Sequence, residues 1–194
     1  AIAFVATRPA ATEYTVEHRF EIERLDALHT QSPCAGQTTL DLVDLLNKER
    51  DHARAIRIVD EFREHCAPVP RLYWESYGAR MQVQDFKGAV DDAARLADAD
   101  ADDGDFWWWR AKAKRQAGDK AGAEADMRKS AEITGKNAFW SVIDLADLLE
   151  EQQRGCEAVP LLAQIARNNH DQAEKVGVTT RLSRLVRETP CPDP

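Results

Sequence analysis

Membrane spans and an excess of positive charge are both missing from this sequence of 194 residues. No stretch approaches the run of about 18 apolar residues that a membrane-spanning helix needs. The 26 Lys and Arg residues are outnumbered by 34 Asp and Glu, which gives a net charge of -8. A nucleic-acid binder needs a basic face to neutralise phosphates, and an anionic membrane surface attracts the same kind of face. We therefore expect no membrane insertion and no nucleic-acid partner.

Patterns typical of catalysis are also missing. The nine glycines are scattered and form no phosphate-binding loop, and the five histidines form no nucleophile or metal pattern with their neighbours. The acidic stretch 98–105 has the composition of a calcium loop. It has Gly104 as its seventh residue and Trp109 in twelfth place, whereas an EF-hand loop needs Gly at the sixth position and Glu at the twelfth. We expect no enzymatic activity, no metal and no cofactor.

What the sequence does contain is an internal repeat. A small residue recurs at spacings of 34, 34 and 35 residues, as Ala55, Ala89, Ala123 and Ala158. Four residues later come Val59, Ala93, Met127 and Leu162, and three residues after those come Phe62, Leu96, Ser130 and Ile165. Offsets of four and three residues place these side chains on one face of a helix.

Each of these helices is preceded by a second helical segment, and turn residues separate the two. The turns contain Asp51, Asp85, Gly118–Asp119 and Arg154–Gly155. This unit of helix, short turn and helix, repeated about four times, resembles the tetratricopeptide repeat family. The third unit shows the resemblance best, with Trp107, Ala111, Ala123 and Met127 at the family's positions. The resemblance covers residues 38–169.

The resemblance implies a mainly α-helical superhelix of about four helical hairpins. Residues 172–187 continue the helical rhythm and predict a C-terminal capping helix. Residues 13–23 alternate strictly between polar and apolar, a pattern typical of a β-strand, and residues 2–7 suit a second strand. We therefore expect an extended or β-hairpin segment over 1–33, a solenoid with its capping helix over 34–189, and a tail over 190–194.

The N-terminal hairpin would need a partner, because an isolated two-stranded hairpin is only marginally stable in water. One alternative is that it packs on the first repeat as a cap. The other is that it adds to a strand of a partner protein, or of a second copy of the chain in a self-association. The sequence leaves both open.

The implied fold also gives positions to the four cysteines. Cys34 precedes the first helix of repeat one and Cys66 ends the antiparallel second helix. Cys156 starts the second helix of repeat four, and Cys191 follows the capping helix that runs back along it. We predict Cys34–Cys66 and Cys156–Cys191 disulfides, and therefore an oxidising compartment: the bacterial periplasm, the cell surface or the secreted fraction. The usage of Ala, Arg and Asp agrees with a bacterial source. The alternatives are four reduced cysteines, or a metal site made by Cys34, His65 and Cys66.

In this family the first helices of the repeats line a concave groove. Trp108 falls on that face beside Lys112 and Arg115, and aromatic and Arg side chains dominate binding hot spots. The alternative is a Trp108 that the N-terminal segment or a neighbouring repeat buries. The predicted groove comprises Asn47, Lys48, Glu75, Gln82, Trp108, Lys112, Arg115, Trp140, Asp147 and Glu151.

These features favour binding over catalysis. The resemblance implies a protein-interaction scaffold or adaptor, outside the cytoplasm, that holds a peptide or protein segment in its groove. The alternative is a non-catalytic accessory domain of a larger secreted or periplasmic enzyme. Some members of the family clamp a C-terminal carboxylate with Lys and Asn, but the corresponding positions here are Leu40 and Asp44. The sequence does not identify the partner.

Overall fold

The computed structural model describes residues 14–135 and 138–188, and every regular element among them is an α-helix. The chain divides into two compact units, Ala1–Gln84 and Asp85–Pro194. Unit one contains α1 (Val16–Gln31), α2 (Gly36–Lys48), α3 (His52–His65) and α4 (Pro70–Gln82). Unit two contains α5 (Phe86–Ala99), α6 (Gly104–Gln116), α7 (Lys120–Thr134), α8 (Phe139–Glu151), α9 (Gly155–Asn168), α10 (His170–Lys175) and α11 (Val178–Glu188). None of the described helices is long and apolar enough to cross a membrane.

The repeat is visible in the backbone turn of each hairpin. A residue with left-handed backbone recurs at the spacing of the small residues: Arg50 (φ 61°), Gln84 (φ 63°), Gly118 (φ 86°) and Gln153 (φ 60°). Only glycine adopts this conformation without steric cost. In three of the four turns the next residue is an aspartate whose carboxylate accepts a hydrogen bond from a backbone N–H three residues later, which caps the second helix. These caps are Asp51, Asp85 and Asp119.

The core confirms the helical hairpins that the repeat predicts. The four small residues Ala55, Ala89, Ala123 and Ala158 are completely buried. The positions four and seven residues later are buried as well: Val59, Ala93, Met127, Leu162, Phe62, Leu96, Ser130 and Ile165. An alanine methyl group at the closest approach lets two helices pack tightly, and a larger side chain there would overpack the interface.

The predicted C-terminal capping helix is confirmed, with one interruption. Gly177 has a φ of +75°, and it separates the short α10 from α11. α11 packs against α9 and buries Val178 and Leu185, with Leu182 partly buried between them. These intervals of four and three residues are those of a single helical face.

The predicted N-terminal strand is wrong wherever the structure describes it, because residues 16–31 form α1. The hydroxyl of Thr15 caps this helix by accepting a hydrogen bond from the backbone N–H of His18 at 3.4 Å. Val16 and Phe20, which the alternation placed on an inner face, are each 71% exposed, whereas Ile22 is 2% exposed. The strand that self-association or strand addition would have used is therefore absent from 16–31. The proposed second strand, 2–7, lies outside the described residues.

Polar contacts hold the start of α1 against the end of α2. The Glu49 carboxylate accepts hydrogen bonds from the backbone N–H and the hydroxyl of Thr15, both at 2.9 Å, and lies 2.5 Å from Nδ1 of His18. The Tyr14 hydroxyl donates a hydrogen bond to Asp51 at 2.6 Å. We call these contacts the α1 clasp.

Candidate protein-binding site

The predicted groove residues of unit two gather on one face of α6 and α8. Trp108, Lys112 and Arg115 follow each other on α6 at intervals of four and three residues. On α8 the same rhythm sets out Trp140, Asp144, Asp147 and Glu151. We call these seven side chains the α6–α8 face. Six of them were predicted from the sequence, and Asp144 was missed.

Two polar contacts join α6 to α8 across this face. The indole N–H of Trp108 donates a hydrogen bond to Oδ2 of Asp144 at 2.6 Å. About two turns further along each helix, the guanidinium of Arg115 pairs with the carboxylate of Glu151. Trp108 is half-buried, so its exposure is intermediate between the exposed and the buried side chain that the sequence left open. The repeat spacing could have identified Asp144, because it lies 36 residues after Trp108, as Glu151 does after Arg115.

Lys112, one of the two cations on the face, lies against aromatic rings. The Lys112 ammonium lies 4.7 Å from the ring centroid of Trp108 and 5.0 Å from that of Trp109. The two indoles are themselves in contact, with centroids 4.7 Å apart. A cation over an indole face is attracted by the ring quadrupole, by about 0.5–2 kcal/mol depending on desolvation. Lys112 is thereby held in place on the face.

At the other side of α8 the face meets α11. Arg181 pairs with Asp147 at 2.7 Å, and it also donates a hydrogen bond to Glu150 at 2.6 Å. Burial raises the pKa of Asp147 above its ordinary value, Arg181 opposes that rise, and the nearby negative charge of Asp144 adds to it. By contrast, the hydrogen bond from Arg115 lowers the pKa of Glu151. The pairing of Arg181 with this face was not predicted, because the periodicity of residues 172–187 indicates only a capping helix.

The four groove residues predicted in unit one are placed differently. The Asn47 side-chain amide donates to the backbone carbonyl oxygen of Glu75 at 3.2 Å, so α2 and α4 do bring these two together. Lys48 pairs within its own helix with Asp44 at 2.6 Å, and Gln82 is exposed. None of these four residues is aromatic. Lys48 lies near enough to Glu75 for that negative charge to add to the larger effect of Asp44 in raising the pKa of Lys48.

The predicted Cys34–Cys66 disulfide is confirmed, with the two Cα atoms 5.3 Å apart. Because these sulfurs are bonded to each other, the alternative metal site of Cys34, His65 and Cys66 is wrong. Cys156 is disulfide-bonded too. Its predicted partner Cys191 lies outside the described residues.

No protein-family model and no curated protein matches this sequence. Solved structures do match. MamA from Desulfovibrio magneticus RS-1 superposes with a TM-score of 0.69 at 10% identity, covering 81% of this chain and 88% of that one. YrrB, described as a tetratricopeptide protein with an unusual peptide-binding site, gives 0.64 at 12% identity and covers 87% of each chain. A tetratricopeptide protein from Parabacteroides merdae gives 0.63 at 12% identity, covering 86% of this chain and 70% of that one.

The fold is tetratricopeptide-like. Identities of 10 to 12% establish this architecture and nothing about ligands. In a tetratricopeptide-like fold the helices α2, α4, α6 and α8 are the first helices of their repeats, which are the helices that carry the predicted groove.

Proposed function

We propose that this chain is a non-catalytic protein-interaction module that binds a peptide or protein segment on the α6–α8 face. The observation that carries the proposal is the row of Trp108, Lys112 and Arg115 on α6, in which the Lys112 ammonium lies over a half-buried indole and Arg115 follows one turn later. Tryptophan and arginine are the side chains most enriched at binding hot spots. The description of YrrB as a peptide-binding tetratricopeptide protein agrees with this use of the fold.

The polar contacts on the face support the proposal because a ligand could replace them at little cost. An exposed ion pair such as Arg115–Glu151 contributes about 0–1 kcal/mol to stability. A partner that offers its own carboxylate to Arg115 would therefore lose little by opening the pair. Trp108 is anchored through its indole N–H to Asp144, which leaves its ring as a preorganised contact surface.

We propose a location outside the cytoplasm, in the periplasm or secreted. The Cys34–Cys66 bond supports it, since cytosolic proteins are kept reduced and seldom carry stable disulfides. A role as an accessory domain of a larger secreted enzyme would use the same face and the same compartment. No feature of the described residues favours that alternative over a free-standing scaffold.

The proposal is tested by affinity capture from an extract of the source organism. The full chain is immobilised as wild type, Trp108→Ala and Arg115→Ala. We expect a specific partner to be recovered by the wild type and reduced at least about fivefold by each variant, because truncating a hot-spot residue costs more than about 1 kcal/mol.

Matched controls come from the same unit. Trp107→Ala removes a neighbouring indole whose N–H bonds the carbonyl oxygen of Ala101, and Arg128→Ala removes an exposed cation that pairs with Glu124 on α7. Both controls should recover the partner as the wild type does. Equal recovery by Trp108→Ala and the wild type would show that this face is not the binding site.

A further inference from the structure

The start of α6 lies unusually close to the end of α7. Gly104 is buried, and a Cβ atom at this position would lie 2.0 Å from the Thr134 hydroxyl oxygen, so only glycine fits. This approach sets the first turn of α6, with Asp105 and Trp108, beside Thr134 and the start of α8. The α6–α8 face therefore ends in a corner formed by the first turn of α6, Thr134 and the start of α8.

Two adjoining cavities occupy this corner and share Asp105 and Thr134. The smaller, of about 40 Å³, is lined by the rings of Trp108, Phe139 and Trp140 together with Ala138 and Ser141. We call it the aromatic pocket. Phe139 and Trp140 meet edge to face at 5.0 Å, and Trp140 is 48% exposed. A pocket of this size accepts a small aliphatic group.

The larger one, of about 500 Å³, is a wide and shallow surface depression beside the aromatic pocket and is lined mainly by carboxylates. We call these carboxylates the acidic rim; they are Asp100, Asp102, Asp103 and Asp105. One oxygen of Asp100 and one of Asp103 accept hydrogen bonds from nearby backbone N–H groups. Among residues 14–135 and 138–188, no Lys, Arg or His forms an ion pair with any of the four.

We propose that the segment which docks in the aromatic pocket is basic, carrying Lys or Arg next to a small aliphatic residue. This inference rests on the proposed function and adds the chemistry of the partner. The aliphatic side chain would fill the pocket, and the neighbouring cation would lie against the acidic rim. Four carboxylates that pair with no cation of residues 14–135 and 138–188, beside the aromatic pocket, attract cations and repel acidic segments, which sets both the association rate and the choice of partner.

The charges on the rest of the face fix where that cation can lie. Lys112 stands about two turns further along α6 than Asp105, on the far side of Trp108. Arg115 is paired with Glu151, and Arg181 with Asp147. A basic residue of the partner is therefore favoured at the rim and repelled by Lys112, so the segment has one preferred placement.

The inference is tested with three fluorescein-labelled nonapeptides and the full chain, by fluorescence anisotropy at two salt concentrations. One peptide alternates Lys with Val, the second replaces every Lys by Glu, and the third replaces every Val by Ser. We expect the Lys–Val peptide to bind at least about tenfold more tightly than either of the others, and to weaken as salt is added.

Paired variants locate the binding. Asp102→Asn with Asp105→Asn, and separately Trp140→Ala, should each weaken the Lys–Val peptide about tenfold. Asp171→Asn with Glu174→Gln removes the same charge from exposed positions on α10, and Val186→Ala trims an exposed apolar side chain of α11. These controls should stay within about twofold of the wild type.

Binding of the Glu–Val peptide that Trp108→Ala abolishes would keep the face as a binding site and overturn the basic partner. An unchanged affinity in the rim variant, or no binding of the Lys–Val peptide, would overturn the inference as well. The proposed function is judged separately, by the capture of its partner with Trp108→Ala.

Discussion

The two terminal helices each pack on a repeat of their own unit, but through different chemistry. α11 buries Val178 and Leu185 on one regular face against α9. α1 buries Ile22 and Leu25, leaves apolar residues exposed on its outer side, and has its start held by the polar contacts to Glu49. The contrast shows that hydrophobic periodicity predicts a helix that apolar packing stabilises. It does not predict a helix that polar contacts help to stabilise.

Of the changes that distinguish the two terminal helices, removal of the Cys34–Cys66 bond should have the largest effect on stability. This bond joins the α1–α2 connection to the end of α3. The double substitution Cys34→Ser with Cys66→Ser frees a loop with a sequence separation of 32. The chain-entropy relation gives a loss of about 3.5–4 kcal/mol in the free energy of unfolding. We expect hydrogen exchange to show the loss of protection in α1 to α3 and not in α11.

Thiol titration of the denatured, unreduced protein checks that the wild-type chain carries its disulfides. A chain carrying two disulfides should show no free thiol, whereas four free thiols would contradict the oxidising compartment. If the double substitution leaves the stability of unit one unchanged, the bond is not what holds the α1 end of the molecule.

The next largest effect is the loss of stability when two nearby apolar residues of α1 are truncated one at a time. Ile22→Ala should cost about 2–4 kcal/mol, because it removes a buried side chain. Phe20→Ala should cost less than about 0.5 kcal/mol, because Phe20 is exposed. A β-strand would place both residues on the same face, so equal costs in urea unfolding would favour the strand over the helix. On α11, Leu185→Ala against Val186→Ala is the matched pair and should give the same contrast.

The sequence predicted α11 and missed α1 for a definite physical reason. The buried residues of α11 recur at helical intervals, and burial is what periodicity records. In α1 the exposed Val16 and Phe20 happen to share a period-two pattern with Ile22, although only Ile22 is buried. The threonine cap at Thr15 was a helix-start signal that could have competed with the alternation.

The repeat also shows where sequence stops specifying detail. The hairpins, the buried alanines and the aspartate caps could all be predicted, because they recur at one spacing. The left-handed turn residues could be read only at Gly118, since Arg50, Gln84 and Gln153 adopt the same conformation without being glycine. On the α6–α8 face the register gave Trp108 and Arg115, but α8 offers several carboxylates within one turn. Only the structure shows that Trp108 bonds Asp144.

The smallest effect is on the pH response of the two terminal helices. Hydrogen bonds from the Thr15 amide and from His18 lower the pKa of Glu49, so its contribution to stability is present above the ordinary glutamate pKa and is lost as the pH falls through the lowered one. Burial raises the pKa of Asp147 beside α11, so its contribution has the opposite sign and is lost as the pH rises. Acidification therefore weakens the α1 clasp, whereas protonation of Asp147 removes the cost of burying its charge.

Hydrogen-exchange protection factors compared at about pH 5 and about pH 3.5, an interval around the ordinary carboxylate pKa values, test this difference. α1 should lose protection first, by less than about fivefold, because its clasp is near the surface. Residue 49 cannot titrate in Glu49→Gln, so in this variant the protection of α1 should depend on pH less than in the wild type, while that of α11 behaves as in the wild type. Earlier loss in α11, or an unchanged pH response of α1 in Glu49→Gln, would mean that the contacts of Glu49 do not determine how firmly α1 is held. The spacing of the apolar residues, rather than the clasp, would then be the better explanation of why the two terminal helices differ.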